Sequence, residues 1–236
     1  MYANNEIGTI QPISEIGRAI RQFKGSNLLP YFHTDASQAA NYLDINREKL
    51  GVDLMTLDGS KIYGPKGVGV LYKKEYISLA PIIFGGGQEK GLRSGTENVP
   101  AIVGMGAALC ITQSMKEKES KRVIALRDYC ISEIKKISPT ISLNGDAEKR
   151  LPNNVSVCIP GHDGEFTVIQ SDAEGIAVAS VSACKNLSEK TTSYVIESIP
   201  GREGCASSSL RISLGRKTSK KDIDSFISVL KKIVRK

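Results

Sequence analysis

Asp58-Gly-Ser-Lys61-Ile-Tyr-Gly-Pro-Lys-Gly67 is the stretch on which the reading of this chain turns. It sets a lysine just past a short apolar run, Leu54 to Leu57, and just before a turn rich in Gly and Pro. A lysine so placed can be held at the edge of a cleft. Partial desolvation there keeps it a competent amine, and the small residues that follow leave room for a flat cofactor, which is the setting a Schiff-base lysine needs. Taken alone, a lysine in a loop is ordinarily a solvated surface residue.

Asp35 shifts that balance. It closes the preceding strand in His33-Thr-Asp35-Ala-Ser-Gln38, and in a parallel sheet ligands gather at the carboxyl ends of the strands. A carboxylate at such a place can pair with a pyridinium nitrogen and keep it protonated. On its own, an aspartate there is more often a turn residue or a helix cap.

Outward from this pair, the apolar spacing of Ile13, Ile16, Ile20 and Phe23 predicts an amphipathic helix over 12–24, opened by Pro12. Strands are expected at 31–35, 54–57 and 67–72, bounded by Gly, Pro or charged residues. Strands alternating with helices imply an α/β fold with a mostly parallel sheet. A long helical pattern runs from Val99 to Ile137, apolar up to Met115 and charged beyond it, which places a domain boundary near residue 115. The expected domains are therefore 1–115 and 116–236. In the second, strands are expected at 154–159, 175–179 and 210–214. Helices are expected after Gly164, around Tyr194 and at the end, where Ser219 and Asp222 form a capping box.

Composition narrows the class. The 236 residues are 40% hydrophobic and 24% charged, ordinary values for a globular protein that exclude disordered and fibrous classes. No uninterrupted apolar run approaches the roughly 18 residues of a membrane span. The start Met1-Tyr-Ala-Asn-Asn-Glu lacks the basic and apolar stretches of an export signal, so a cytoplasmic setting is expected. The net charge of +7 sits largely on helical stretches such as 116–122 and 220–236, without a nucleic-acid-binding motif; a solvated helix face suited to an acidic partner is expected, not direct nucleic-acid binding. Five cysteines, 110, 130, 158, 184 and 205, are odd in number and lack CxxC spacing, so free thiols are expected and no metal site. Cys110 and Cys158 fall in apolar patterns and read as buried packing residues. Cys130 and Cys205 read as thiols without a role, Cys205 standing six residues before Arg211.

Six segments then fall in one order: Asn4-Asn5-Glu6-Ile7-Gly8, Asp35 with Gln38, Lys61 to Gly67, Arg93-Ser-Gly-Thr96, Ser182-Ala-Cys184, and Ser209-Leu-Arg211-Ile-Ser-Leu-Gly215. In that order and spacing the chain resembles the cysteine desulfurases, NifS-like enzymes of the class V aminotransferase family that use pyridoxal 5'-phosphate (PLP). The resemblance implies the PLP fold-type I architecture, with residues 1–115 as part of the large cofactor-binding domain and 116–236 as a smaller α+β domain carrying the active-cysteine loop. It implies that Lys61 bonds the cofactor covalently, Asp35 contacts its pyridine nitrogen and Gln38 its ring oxygen. Asn5 touches cofactor and substrate carboxylate, Arg211 grips that carboxylate with its planar fork, and Ser60 and Thr96 serve the phosphate, Thr96 from the partner subunit of a homodimer. Cys184, on a polar segment, is the nucleophile that takes sulfur from L-cysteine as a persulfide, leaving L-alanine. The sulfur then passes to an iron–sulfur scaffold or a tRNA-thiolation acceptor.

The chain departs from the family pattern at three places. The family carries a further segment of a hundred-odd residues before Asn4-Asn5-Glu6, including a ring-stacking histidine, and neither His33 nor His162 sits in that context. Asp58 and Ser60 stand where serine and histidine near the cofactor phosphate are usual, so that Asp58 repels that dianion unless it is paired or points away, and Val181 replaces a glycine before Ser182. Two other readings stay open: a related PLP lyase such as one acting on selenocysteine, and a truncated, non-catalytic dimerising fragment.

Overall fold

The computed structural model describes residues 1–180 and 192–235. The chain divides into two compact units, one of Met1–Tyr2 with Pro12–Lys116 and the other of Ala3–Gln11 with Glu117–Lys236.

In the first unit, Pro12 caps α1 (Ile13–Lys24), which ends at Gly25. Its inward face carries Ile13 and Ile16, whereas Phe23, expected on the same stripe, is 82% exposed, the inward position of the last turn being taken by Lys24, which pairs with Asp53. Strand β1 (His33–Asp35) pairs in parallel with β2 (Leu54–Asp58), and β2 pairs antiparallel with β3 (Gly69–Lys73). The sheet is thus mixed where a mostly parallel one was expected, in the order β1-β2-β3: the ten residues 59–68 return the chain antiparallel from β2 to β3, and the longer crossover 36–53 leaves β1 and β2 parallel. That crossover includes α2 (Arg47–Leu50), a single turn capped by the Asn46 side chain. The core gathers Ala36, Ala39, Val52, Met55, Leu57 and Ile62 under the first half of α3 (Val99–Lys135). Ala101, Met105, Ala108 and Thr112 are the buried face of that half, at helical spacing. By length and composition alone α3 is apolar enough to cross a membrane.

Asp53 anchors the edge of this unit. Its side chain, 3% exposed, pairs with Lys74 at 2.7 Å and Lys24 at 3.4 Å, and accepts the Phe32 amide at 2.9 Å. Burial pushes its carboxyl up, but hydrogen bonds from Lys74 and the Phe32 amide, with the charges of Lys74 and Lys24, outweigh burial and bring it down to about 2. The folded value lies below the unfolded one, so the contribution is present in full above about pH 4 and is lost as pH falls toward 2. Asp53→Ala is expected to destabilise the protein by about 2 kcal/mol at pH 7, less than a fully buried pair because Lys74 is partly exposed. Urea denaturation at pH 7 and at pH 3 checks this: a gap between variant and parent that stays constant with pH would contradict the ion-pair account.

In the second unit, β4 (Ser142–Leu143), β5 (Asn154–Cys158) and β6 (Ser209–Ser213) form an antiparallel sheet in that order. Helices α4 (Gly164–Ala173), α5 (Tyr194–Glu197) and α6 (Lys220–Val234) follow the expected positions, and α6 opens with the Ser219–Asp222 capping box. The strand expected at 175–179 reduces to one bridge between Ala179 and Arg211. Val123, Arg127, Cys130 and Ile134 repeat in the second half of α3 the inward spacing of the first.

Cys158 and Cys205 correct the expectation of free thiols, since they form a disulfide with their Cα atoms 5.3 Å apart. The reason is local to the sheet. Cys158 stands opposite Ser209 in the β5–β6 register, and Ser209 Oγ donates to the Cys205 carbonyl at 2.6 Å, which folds the Cys205 turn back over the end of β5. A separation of 47 residues hides this pairing from spacing rules. Among the described residues Cys110 is a free, exposed cysteine and Cys130 a free, buried one whose thiol burial pushes up to about 12. Cys110 was expected to be buried; it stands on the outer face of α3, two residues past the buried Ala108.

Candidate active site

The first unit places Asp35 and Lys61 at the same edge of its sheet. Asp35 ends β1 and stands opposite Thr56 of β2 in the parallel register, so both strands finish at one side, and Lys61 follows β2 by three residues. This is the carboxyl edge at which parallel strands present ligands. Asp35 is exposed, and its Oδ1 accepts the Ser37 amide at 2.8 Å, which turns the chain toward a half-buried Gln38. His33 lies on the same exposed face and contacts Thr56 Oγ1 through Nε2 at 2.8 Å, a strand residue as expected.

Lys61 sits in a one-turn 3-10 helix, Gly59–Ile62, and its side chain is exposed. Asp58 caps this turn: its Oδ1 accepts the Ser60 amide and the Ser60 hydroxyl, both at 2.8 Å. The carboxylate is thus turned into the protein's own turn, and the Ser60 hydroxyl is bonded to it. Two donors that the sequence did not single out hold the far end: Asn41 Nδ2 donates to the Lys61 carbonyl at 2.5 Å and Thr112 Oγ1 to the Ile62 carbonyl at 3.3 Å. The sequence signal was weak, since an Asn and a Thr in helical or turn segments are unremarkable until the fold brings them 20 and 50 residues along the chain to these carbonyls.

Gly59 is required by close approach. A Cβ there would meet the Pro65 carbonyl and Val68 Cγ1, each at 2.9 Å, closer than real Cβ contacts come. Gly59→Ala is expected to displace the turn and destabilise the protein by about 1–3 kcal/mol. Thermal unfolding with cofactor trapping on Lys61 checks both effects; unchanged melting and trapping would mean that the turn absorbs the methyl.

Thr96 is exposed on a separate loop of the same unit, after Ser94, whose hydroxyl donates to the Gly86 carbonyl at 2.8 Å. The second unit holds the other two candidates together. Arg211, in β6, donates through Nη1 to the Asn5 carbonyl at 3.0 Å. The Asn4-Asn5-Glu6-Ile7-Gly8 motif is a tight turn in which Asn4 Oδ1 accepts the amides of Glu6 and Ile7 at 2.8 and 2.9 Å. Glu6 is buried and accepts from Ser193 Oγ at 2.6 Å, and Gly8, at φ +75°, leaves no room for a Cβ beside Asn154. Cys184 and Val181 lie outside the described residues. His162 is a loop residue whose Nδ1 faces the Pro160 carbonyl at 3.3 Å. The described residues hold no cluster of metal-ligating side chains.

The chain belongs to the class V aminotransferase family, whose model matches residues 1–226. These are PLP enzymes of fold-type I, and the α/β class expected from the sequence holds. Among its relatives, cysteine desulfurase IscS of Dictyoglomus turgidum is 40% identical over 236 residues, covering 100% of this chain and 58% of that protein. Cysteine desulfurase IscS 1 of Archaeoglobus fulgidus is 43% identical over 237 residues, covering 100% of this chain and 59% of that protein. The NifS-like protein of Rickettsia africae superposes with a TM-score of 0.88 at 33% identity, covering 100% of this chain and 61% of that one. The chain therefore spans somewhat less than two thirds of the length of these relatives.

The residues present fit the family's cofactor on grounds of donor chemistry. An exposed primary amine and an exposed carboxylate share one strand edge, and the residue that could have repelled a phosphate, Asp58, is bonded within its own turn.

Proposed function

We propose that this chain carries the cofactor lysine and the sulfur-accepting cysteine of a PLP-dependent cysteine desulfurase that converts L-cysteine to L-alanine. The observation that carries the reading is the placement of Asp35 and Lys61 at the ends of adjacent parallel strands, in a chain that matches the class V family over nearly its whole length. The first compact unit, Met1–Tyr2 with Pro12–Lys116, then serves as part of the cofactor-binding domain and the second, Glu117–Lys236, as the domain of the active cysteine; residues 3–11, expected with the first, pack with the second.

Lys61 Nζ is the covalent anchor, Asp35 the partner of the pyridine nitrogen and Gln38 that of the ring oxygen. Thr96 serves the phosphate across a homodimer, and Ser60 serves it by turning its hydroxyl away from Asp58, to which it donates in this structure. When bound, PLP supplies an electron sink for the substrate α-carbon. Asn5 and Arg211 orient the substrate carboxylate, a task suited to a guanidinium fork. Lys61 Nζ removes the α-proton as a general base. The Cys184 thiolate attacks the substrate sulfur: the carbon–sulfur bond breaks with its electron pair left toward the β-carbon, which takes up a proton, a sulfur–sulfur bond forms, Lys61 Nζ returns the α-proton, and alanine leaves with Cys184 as persulfide. The relatives named cysteine desulfurase support this substrate; the sulfur then passes, in this reading, to an iron–sulfur scaffold or a tRNA-thiolation acceptor in the cytoplasm.

The test is to mix the purified protein with PLP, reduce with borohydride and map the adduct by peptide mass spectrometry. A single adduct on Lys61 is expected. Adducts scattered over surface lysines such as Lys66, or none, would overturn the assignment of Lys61.

A further inference from the structure

We infer that Asn41 is a positioning residue for Lys61, fixing the backbone from which the cofactor lysine projects and holding it against the turn that bears Gln38. The inference rests on the reading of Lys61 as the cofactor anchor.

The argument begins with carbonyl groups. In the 3-10 turn Gly59–Ile62 the Gly59 carbonyl accepts the amides of Tyr63 and Gly64, so the turn closes on that one oxygen. The last carbonyls of any helical turn have no acceptor role inside it and need donors from elsewhere. Lys61 and Ile62 obtain theirs from side chains, Asn41 Nδ2 and Thr112 Oγ1. Holding the Lys61 oxygen fixes the peptide plane between Lys61 and Ile62. Ile62 is itself 1% exposed and locked in the core, and Asp58 caps the other end of the turn. The backbone at Lys61 is thus determined on both sides while its side chain stays exposed.

Asn41 is held in turn. Gln113 Nε2 donates to the Ala40 carbonyl at 2.7 Å, immediately before it, and Ala39 and Ala40 are fully buried. Gln38 lies three residues upstream in the same tight run. Asn41 therefore ties the Gln38 turn to the Lys61 turn, two pieces of chain that must keep a set spacing to grip one flat ring. The orientation of its amide is determined, because only the nitrogen can face the Lys61 carbonyl. Its Oδ1 is buried and accepts no hydrogen bond among the described residues, so the donor is the working end. Placement to within a fraction of an ångström is what such supporting contacts provide at a reacting group.

The experiment compares the parent with Asn41→Ala, which removes the side chain, and Asn41→Asp, which keeps its shape and removes the donor. Each is incubated with PLP and followed by the rate of borohydride-trapped adduct on Lys61 and by the circular dichroism induced in the cofactor's absorption band, with thermal unfolding as the control for folding. Both variants are expected to form the Lys61 adduct about fivefold more slowly, the usual worth of one hydrogen bond, with a weakened induced signal and a parent-like melting curve. If Asn41→Ala does not fold, Asn41→Asp carries the comparison. Parent-like rate and dichroism in Asn41→Asp would overturn the positioning role while leaving Lys61 as the anchor. A parent that forms no Lys61 adduct would overturn the anchor and this inference with it.

Discussion

Lys61→Ala is expected to abolish the site-specific PLP adduct and to lower alanine formation from L-cysteine by at least about 10²–10⁴-fold, the range that one positioned acid–base group supplies. The loss follows from where the residue stands. Lys61 is exposed at the carboxyl edge of β2, in a turn capped by Asp58, and it is the lysine the sequence sets between an apolar strand and a Gly- and Pro-rich turn. Lys66, five residues on, is also exposed but lies beyond the turn that follows β2. Trapping and turnover should therefore fall together in the variant, whereas the melting temperature should stay near the parent's, since an exposed lysine is replaced. Retained trapping on a single other lysine, with turnover intact, would show that the anchor lies elsewhere.

Why the placement of Lys61 and Asp35 at strand ends could be read from the sequence, and the contact of Asn41 with the Lys61 carbonyl could not, has a physical basis. A strand end followed by Gly and Pro leaves a local signal, because the backbone itself needs those residues there. The helices were legible for the same reason: Pro12 and Gly25 bracket α1, and Ser219 with Asp222 opens α6. Contacts across 20 to 150 residues leave no such trace. Asn154 Nδ2 donates to the Glu6 carbonyl and Leu151 N to the Gly8 carbonyl, which gathers residues 3–11 into the second compact unit. Nothing local in Asn4-Asn5-Glu6 announces that. Elements of a few residues are equally silent, as α2 and β4 are, because four or two residues cannot display a period. Charge patterns mislead in the other direction: Asp58 reads as a carboxylate beside a phosphate until the structure bonds it to Ser60.

Removing the Cys158–Cys205 disulfide, by reduction or by Cys205→Ser, is expected to destabilise the protein by about 4 kcal/mol on the loop-closure account for a 47-residue separation. The segment it closes includes α4 and α5, and its two ends meet at the rim of β5 and β6. Opening the bond frees that whole segment in the unfolded chain while the folded sheet keeps its register, so the penalty falls on stability rather than on fold. Cys205→Ser is the gentler test of geometry, since the Cys205 carbonyl that accepts Ser209 Oγ is a backbone group and survives the change. Urea denaturation with and without reductant measures the difference, and alkylation before reduction verifies the pairing. Cys110, exposed, should be alkylated in the native protein; Cys130, buried with its thiol pushed up to about 12, should resist; Cys158 and Cys205 should react only after reduction. A reductant-independent unfolding curve in a protein whose Cys158 and Cys205 are verified as bonded would overturn the loop-closure account. Native alkylation of Cys205 without reductant would mean that the two thiols meet without bonding.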